Sequence, residues 1–161
     1  EKKPFYHFLP ATKAFSIATV GCNLHCLNCQ NWEISQAGPG DVESSDCPPG
    51  KVAELALQSG SKSVAYTYTD PVVYYEYAYD SSVQARESGL RNLLVTAGYI
   101  NQEPLKRLLD VVDAATLDIK SISDEFYRKI CSGTLNQVSP SAIAAARSVL
   151  PTPVENAPSA P

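Results

Sequence analysis

Short apolar runs that alternate with helical stretches constrain the fold of this sequence more than any other feature. Runs rich in Val, Ala, Leu and Ile, bounded by polar segments or by Gly and Pro, are typical of strands in a sheet. Strands that alternate with helices at this spacing form right-handed βαβ units, so the sequence predicts an α/β fold with a parallel sheet and its helices outside. The predicted strands, the first of them buried, span residues 14–20, 63–68, 92–96 and 114–119.

The segments between and after these runs carry helical patterning. Apolar residues recur on one helical face, and Gly60 and Gly89 stand where the first two helices should end. Residues 37–50 are polar and are interrupted by Gly and Pro, so they predict a loop. The predicted helices span residues 51–58, 72–87, 102–110, 124–130 and 140–150.

The length and composition predict one domain. With 161 residues, of which 44% are hydrophobic, the chain can bury a core of ordinary size. We predict that this domain spans residues 1–150. Residues 151–161 contain four prolines and no apolar period, so they predict a disordered Pro-rich tail.

Charge and targeting signals exclude several classes of protein. The net charge of −4 argues against nucleic acid or an anionic membrane as a partner, because both bind a dense basic face. The sequence has no apolar stretch long enough to span a bilayer and no signal-peptide core, so we expect a cytoplasmic protein. It also has no methionine, and we expect it to be an internal piece of a longer chain or the product of an erroneous gene model.

Three of the five cysteines lie together after the first predicted strand, at Cys22, Cys26 and Cys29. Three thiolates from one short loop can bind three irons of a cubic iron–sulfur cluster. No fourth cysteine lies nearby in the sequence, so the fourth iron would stay open for chemistry. The C-x3-C-x2-C spacing also differs from the four-cysteine runs of common ferredoxins, which indicates a role other than electron storage.

A structural zinc site is the alternative that the spacing leaves open. Such a site takes four protein ligands, and His25 is a candidate for the fourth. However, His25 is adjacent to Cys26, where a short loop strains to bring both side chains to one metal. We therefore expect His25 to be solvated or to lie behind the ligands. Cys47 and Cys131 are isolated along the sequence, and we expect both to be structural.

Polar side chains follow the other three predicted strands where each strand ends. They are Asp70, Thr96 with Gly98 after it, and Asp118 with Lys120. Because the carboxyl ends of parallel strands face one mouth, we expect these groups to meet the cysteine loop there. Asp70 can accept a hydrogen bond from an ammonium, and Thr96 with an exposed Gly98 backbone can meet a ribose or a carboxylate. Asp118 and Lys120 also fit a plain surface ion pair.

Four segments of the sequence together resemble those of the radical S-adenosylmethionine (SAM) enzymes. They are residues 16–24, 29–36, 65–71 and 117–120. Within these enzymes, the chain is similar to the group related to the pyruvate formate-lyase activating enzymes. More narrowly, it resembles the radical SAM protein of the AmmeMemoRadiSam set.

This resemblance implies a fold and a chemistry. It implies a partial (βα)6 radical SAM barrel with parallel strands, of which about four βα units are present, so that residues 1–150 form a partial radical SAM domain. Cys22, Cys26 and Cys29 would hold a [4Fe–4S] cluster. One-electron reduction of that cluster would split SAM into methionine and a 5′-deoxyadenosyl radical, which abstracts hydrogen from a substrate.

The same resemblance implies a SAM site and partners. Asp70 falls where the family binds the SAM amino group, and Asp118 with Lys120 falls where some activating enzymes contact SAM or a nearby cation. With Thr96, these residues form the expected SAM site. The expected partners are SAM, an electron donor such as flavodoxin or ferredoxin, and an unknown hydrogen donor, for which a protein glycine is a candidate. The competing interpretation is a non-catalytic truncated paralogue that binds an iron–sulfur cluster or zinc.

Overall fold

The computed structural model describes residues 5, 7–138 and 140, and within them four parallel strands form one sheet. The strands pair in the order in which they follow one another along the chain. This arrangement confirms the predicted α/β fold with a parallel sheet. The strands are β1 (Ala14–Ile17), β2 (Ser63–Tyr66), β3 (Arg91–Thr96) and β4 (Ala114–Leu117).

Helices join the strands and pack on one face of the sheet. A 3₁₀ helix, Pro71–Tyr74, precedes the longest of them, and a π-helical turn, Tyr127–Cys131, follows the last. The α-helices are α1 (Trp32–Ser35), α2 (Pro49–Gln58), α3 (Tyr75–Glu87), α4 (Gln102–Leu109) and α5 (Asp124–Phe126).

Two of the helical predictions need correction, and one short helix was not predicted. The helix predicted over 72–87 begins as the 3₁₀ helix, because the Asp70 carboxylate caps its first turn by accepting from the Val72 N–H. The helix predicted over 124–130 is α-helical for only one short turn and then widens into the π-helical turn. The sequence analysis also missed α1, which is too short to show a period.

Three of the four strands are shorter than predicted, and the first is not buried. β1 ends at Ile17, β2 at Tyr66 and β4 at Leu117, and the residues after them form loops. Residues of β1 alternate between exposed and half-buried. This strand lies at one edge of the described sheet and pairs with β2 alone, which explains its exposure.

Alternation along the strands divides the core between the two faces of the sheet. Val64, Tyr66 and Leu94 point toward the helices, where they join one large cluster with residues of α2, α3 and α4. Ala65 and Leu93 point to the opposite, inner face. There, the N-terminal Phe5 and Phe8 pack against them. A cavity lies along this inner face beside these residues.

Asn92 is a fully buried polar residue that joins β3 to its neighbouring helices. Its Nδ2 donates to the carbonyl oxygens of Ser82 in α3 and Val111 after α4, at 2.8 and 2.9 Å. Its Oδ1 accepts from the Tyr66 hydroxyl at 3.4 Å. Because buried polar groups without partners are costly, this residue stabilises the packing of the sheet against the helices.

We expect Asn92→Ala to lower the free energy of unfolding by about 2–4 kcal/mol, since it removes three hydrogen bonds from the buried core. Urea unfolding followed by circular dichroism measures this loss. The matched control is Asn136→Ala, at an exposed asparagine. Equal stability of the two variants would contradict the role assigned to Asn92.

Two predictions fall on parts of the chain that are not described. Apart from Pro140, the predicted helix over 140–150 lies outside the described residues, and so does the predicted tail over 151–161. Among the described residues, no helix combines the length and the apolar character needed to cross a membrane.

Candidate functional site

A cavity of about 1190 Å³ lies along the inner face of the sheet and reaches the loops at the carboxyl ends of the strands. These loops meet there because all four strands run in the same direction. The structure thereby brings together the seven side chains that the sequence predicts for the site. The cavity is lined by Cys22, Cys26, Cys29, Asp70, Thr96, Asp118 and Lys120, among others.

The cysteine loop, residues 18–31, runs from the end of β1 to the start of α1. It turns at Gly21, whose φ of +89° favours glycine and whose N–H donates to the carbonyl of Ile34 at 2.9 Å. A second turn is closed by the Cys29 N–H, which donates to the carbonyl of Cys26 at 3.1 Å. Cys22, Cys26 and Cys29 are free and half-buried, so their thiols are available from the cavity.

Burial controls the acidity of two of these thiols. It raises the pKa of Cys22, which the Leu24 N–H opposes by donating to the Cys22 sulfur at 3.5 Å. Burial and the neighbouring Cys131 thiol raise the pKa of Cys26 to about 11, and the positive charge of Lys120 opposes this rise. In the metal-free protein both thiols therefore hold their protons near neutral pH. A metal must displace those protons in order to bind.

Cys131 is isolated along the sequence but not in space. It is fully buried and belongs to the apolar cluster against which Cys22 and Cys26 pack. A fourth cysteine that is distant in sequence thus packs in the same cluster as two of the three thiols. Cys47, by contrast, packs against the helical core, where its carbonyl accepts from the Tyr77 hydroxyl at 2.6 Å.

The arrangement of the thiols fits a cluster better than a single metal ion. In the part of the chain that the structure describes, no three His, Cys, Asp or Glu side chains are grouped as ligands of one ion. A structural zinc site needs four ligands around one ion. A cubic cluster instead binds each thiolate through a different iron, so its ligands need not converge on one point. His25 is exposed, as expected for a solvated side chain.

Asp70 is a buried carboxylate at the end of the loop that follows β2. Its Oδ1 accepts from the Thr96 hydroxyl at 2.7 Å, and its Oδ2 accepts from the Ala97 N–H at 2.8 Å. Burial raises the pKa of this carboxyl group, whereas these hydrogen bonds and the charge of Lys120 oppose the rise. A carboxylate whose charged form is disfavoured by burial but stabilised by hydrogen bonds is well suited to pair with a cation.

Thr96 contacts Asp70 directly through its hydroxyl. The backbone of Gly98 is less exposed than expected. The Thr96 hydroxyl donates to Asp70 and accepts from the Gly98 N–H at 3.0 Å. Gly98 is buried, not exposed as the sequence analysis expected, because this hydrogen bond turns its backbone inward. The Thr96 side chain therefore orients the Asp70 carboxylate.

Asp118 and Lys120 follow β4 and form an ion pair at the cavity. The Lys120 Nζ lies 3.6 Å from the Asp118 Oδ2, and their side chains are 33% and 24% exposed, respectively. Both backbones are held in place, because the Asp118 N–H donates to the Thr96 carbonyl and the Lys120 N–H donates to the Tyr127 hydroxyl. The positive charge of Lys120 thus has a fixed place beside the site.

Two asparagines of the cysteine loop were not predicted to take part in the site. The Asn23 Nδ2 donates to the carbonyl of Tyr99, and the Asn31 Nδ2 donates to the carbonyl of Tyr68, each at 2.6 Å. Tyr68 has a φ of +71°, which is unusual for a residue other than glycine. These bonds tie the cysteine loop to two neighbouring strand-end loops. In the sequence, only the position of these two asparagines close to the cysteines indicates that they belong to the site.

Comparison with known proteins gives one matching family model, described as the Radical SAM superfamily, over residues 16–155. The uncharacterized protein MJ0808 of Methanocaldococcus jannaschii is 49% identical over 138 residues. This match covers 86% of the chain and 40% of the relative. The chain therefore spans less than half the length of the curated relative that it matches.

Two solved structures match the chain. Streptococcus suis SuiB, bound to the precursor peptide SuiA, superposes with a TM-score of 0.63 at 11% identity, covering 84% of this chain and 30% of SuiB. At that identity the likeness shows a common fold alone. TYW1 with a lysine-pyruvate adduct gives a TM-score of 0.49 at 16% identity, covering 80% of this chain and 50% of TYW1.

Proposed function

Because the chain belongs to the radical SAM superfamily, whose members use a [4Fe–4S] cluster and SAM, we propose that it cleaves SAM reductively and abstracts hydrogen from a substrate. Family membership and the parallel sheet confirm the predicted partial radical SAM barrel. One observation carries the proposed activity. Three free thiols, a buried carboxylate and a lysine ammonium line a single cavity at the carboxyl ends of the strands.

Cys22, Cys26 and Cys29 are the proposed cluster ligands. All three belong to one loop, are free and line the cavity, so each can present a thiolate to a different iron. When bound, the cluster and SAM supply the electron, the cleavable sulfonium and the radical that abstracts hydrogen. The protein supplies the ligands, holds the loop and restricts the access of water through half-burial of the thiols.

Asp70 is the proposed acceptor for the SAM ammonium. A carboxylate offers about four acceptor positions, and the described hydrogen bonds from Val72, Thr96 and Ala97 occupy three. The remaining position suits an N–H from a cation. An ammonium there would also offset the burial that raises the pKa of Asp70. In this role, Thr96 acts by orienting the carboxylate.

Lys120 is the proposed partner for the SAM carboxylate. Its ammonium is the complementary charge, and it acts electrostatically on both Cys26 and Asp70, which are the proposed contacts of the cluster and of the SAM amino group. Asp118 holds the lysine through the ion pair at 3.6 Å. The two ends of the zwitterionic part of SAM would thus meet opposite charges on the loops that follow β2 and β4.

The subgroup, the electron donor and the substrate class also belong to this proposal. The segments quoted above support a protein related to the pyruvate formate-lyase activating enzymes, which would place a protein glycine among the candidate hydrogen donors. A flavodoxin or ferredoxin is the proposed electron donor, in a cytoplasmic setting. The acidic net charge supports a site that acts on neither nucleic acid nor membrane.

The test is anaerobic reconstitution of the chain with iron and sulfide, followed by reduction in the presence of SAM. We expect a brown protein with about four irons per chain and the formation of 5′-deoxyadenosine, measured by chromatography. A colourless protein that binds one zinc would contradict the cluster assignment. A cluster of four irons without SAM cleavage would instead support the non-catalytic paralogue.

A further inference from the structure

Tyr68 is the one exposed residue of an otherwise buried segment at the cavity. Residues 63–67 and 69–71 are all buried, whereas Tyr68 is 44% exposed and lines the cavity. An aromatic ring stabilises a fold most when it is buried, because it carries a large apolar surface. The exposure of this ring at the cavity therefore points to a role other than packing.

The backbone of Tyr68 forms a strained turn. The Thr69 N–H donates to the carbonyl of Thr67 at 3.1 Å, which closes a three-residue turn with Tyr68 at its centre. The φ of Tyr68 is +71°, close to that of the rarer γ-turn, which is strained. Glycine adopts a positive φ without steric cost, but tyrosine does not. Strain of this kind persists where the surrounding structure enforces it, and it is concentrated at functional sites.

The cysteine loop holds this turn in place on both sides of Tyr68. The Asn31 Nδ2 donates to the Tyr68 carbonyl at 2.6 Å, and the Thr69 hydroxyl donates to the carbonyl of Thr19 at 3.0 Å. Asn31 itself lines the cavity. Tyr68 is therefore fixed against the loop that carries the proposed cluster ligands.

Tyr68 also lies near Asp70, the proposed acceptor of the SAM ammonium. Asp70 is two residues further along the chain, so the two Cα atoms are at most about 7 Å apart. Both residues line the same cavity. The face of a tyrosine ring is flat and apolar, and nucleic-acid bases stack on such faces. SAM carries one such base, its adenine, which the ribose separates from the amino acid end.

We propose that the Tyr68 ring is the stacking surface for the adenine of SAM, and that the strained turn holds the ring at the cavity for this purpose. The inference rests on the proposed function, because it takes the cavity as the SAM site. It adds a residue that belongs neither to the cysteine motif nor to the polar groups at the strand ends. In this role, the side chain binds the base and takes no part in electron or hydrogen transfer.

The test compares SAM binding to reconstituted Tyr68→Gly and Tyr68→Phe by equilibrium dialysis with labelled SAM. Glycine removes the ring but suits the turn, whereas phenylalanine keeps the ring. We expect Tyr68→Gly to bind SAM roughly tenfold more weakly, which corresponds to about 1.4 kcal/mol, and Tyr68→Phe to bind it like the wild type. Leu57→Ala, at an exposed apolar residue of α2, is the control and should leave SAM binding unchanged.

The thermal midpoint of the same reconstituted variants, measured without SAM, distinguishes binding from a structural role. It should not fall in Tyr68→Gly, because glycine relieves the strain of the turn. Tyr68→Asn should repeat both results, since asparagine is enriched among residues with a positive φ and has no ring. A lower midpoint or loss of folding in both variants would show that packing holds the ring in place, which contradicts the inference.

S-methylmethionine separates the adenine from the rest of SAM, because it carries the sulfonium and the amino acid but no base. Its competition with labelled SAM gives a dissociation constant for each variant, which should be the same in Tyr68→Gly as in the wild type. If both ligands lose affinity equally, Tyr68 acts on the sulfonium or the amino acid end, and the stacking role is wrong.

The outcomes for the wild type separate the two proposals. Wild-type protein that takes up no cluster, or that binds no SAM once the cluster is present, overturns the proposed function. Wild-type protein that binds SAM as tightly as Tyr68→Gly and Tyr68→Asn do overturns the role of Tyr68 alone.

Discussion

Replacing Cys26 with alanine is expected to reduce the iron content of the reconstituted protein from about four atoms per chain to less than one. The three proposed ligands lie on one short loop, and each would bind a separate iron. The loss of one thiolate leaves two attachment points and an iron open to solvent. The measurement is a colorimetric iron and sulfide assay with the visible absorption spectrum, and Cys22→Ala and Cys29→Ala should behave alike.

Cys47→Ala supplies the control for this experiment, because Cys47 is half-buried like the ligands but packs against the helical core. Its iron content should equal that of the wild type. Full iron and sulfide content in all three ligand variants would show that the thiols of the loop do not hold the cluster, and the assignment of the site would then be wrong.

Asp70→Asn is expected to weaken SAM binding to the reconstituted protein by roughly 30-fold or more, which corresponds to about 2 kcal/mol. The substitution keeps the shape of the side chain but removes its charge. It also places an amide NH₂ where the carboxylate accepts from Thr96 or Ala97. The proposed ammonium partner would then lose its counterion in a buried place. Equilibrium dialysis with labelled SAM measures the effect.

The matched control is Asp80→Asn, at an exposed aspartate of α3. Both variants should keep the wild-type iron content, which distinguishes weakened SAM binding from a damaged cluster. If Asp70→Asn binds SAM as tightly as Asp80→Asn does, the ammonium of SAM does not pair with this carboxylate.

Much of the fold could be predicted because local patterns encode it. The four apolar runs place the strands, and the glycines that follow α2 and α3 mark their ends. The strand ends and the π-helical turn could not be predicted in the same way. They depend on hydrogen bonds with loops that are distant in sequence, such as those between the carbonyls of residues 130 and 131 and the cysteine loop. The pattern of residues within one segment carries no information about such a distant partner.

The candidate site, like the fold, could be predicted only in part. All seven predicted residues line one cavity, because the rule that parallel strands end at one mouth needs only the order of the elements. Two structural roles were not predicted. Asn92 joins the sheet to the helices, and Cys131 packs in the cluster behind the cysteine loop. Their importance comes from burial against partners on other elements, which the sequence alone does not reveal.

The hydrogen bonds between the cysteine loop and the π-helical turn have a consequence for biosynthesis. They join positions separated by most of the described chain, and such contacts form late because a long intervening loop must close first. A nascent chain on the ribosome exposes its thiols long before their supporting segment has been translated. Cofactor insertion into the ordered loop therefore has to follow emergence of the segment around residue 131, and the thiols face oxidants unprotected until then.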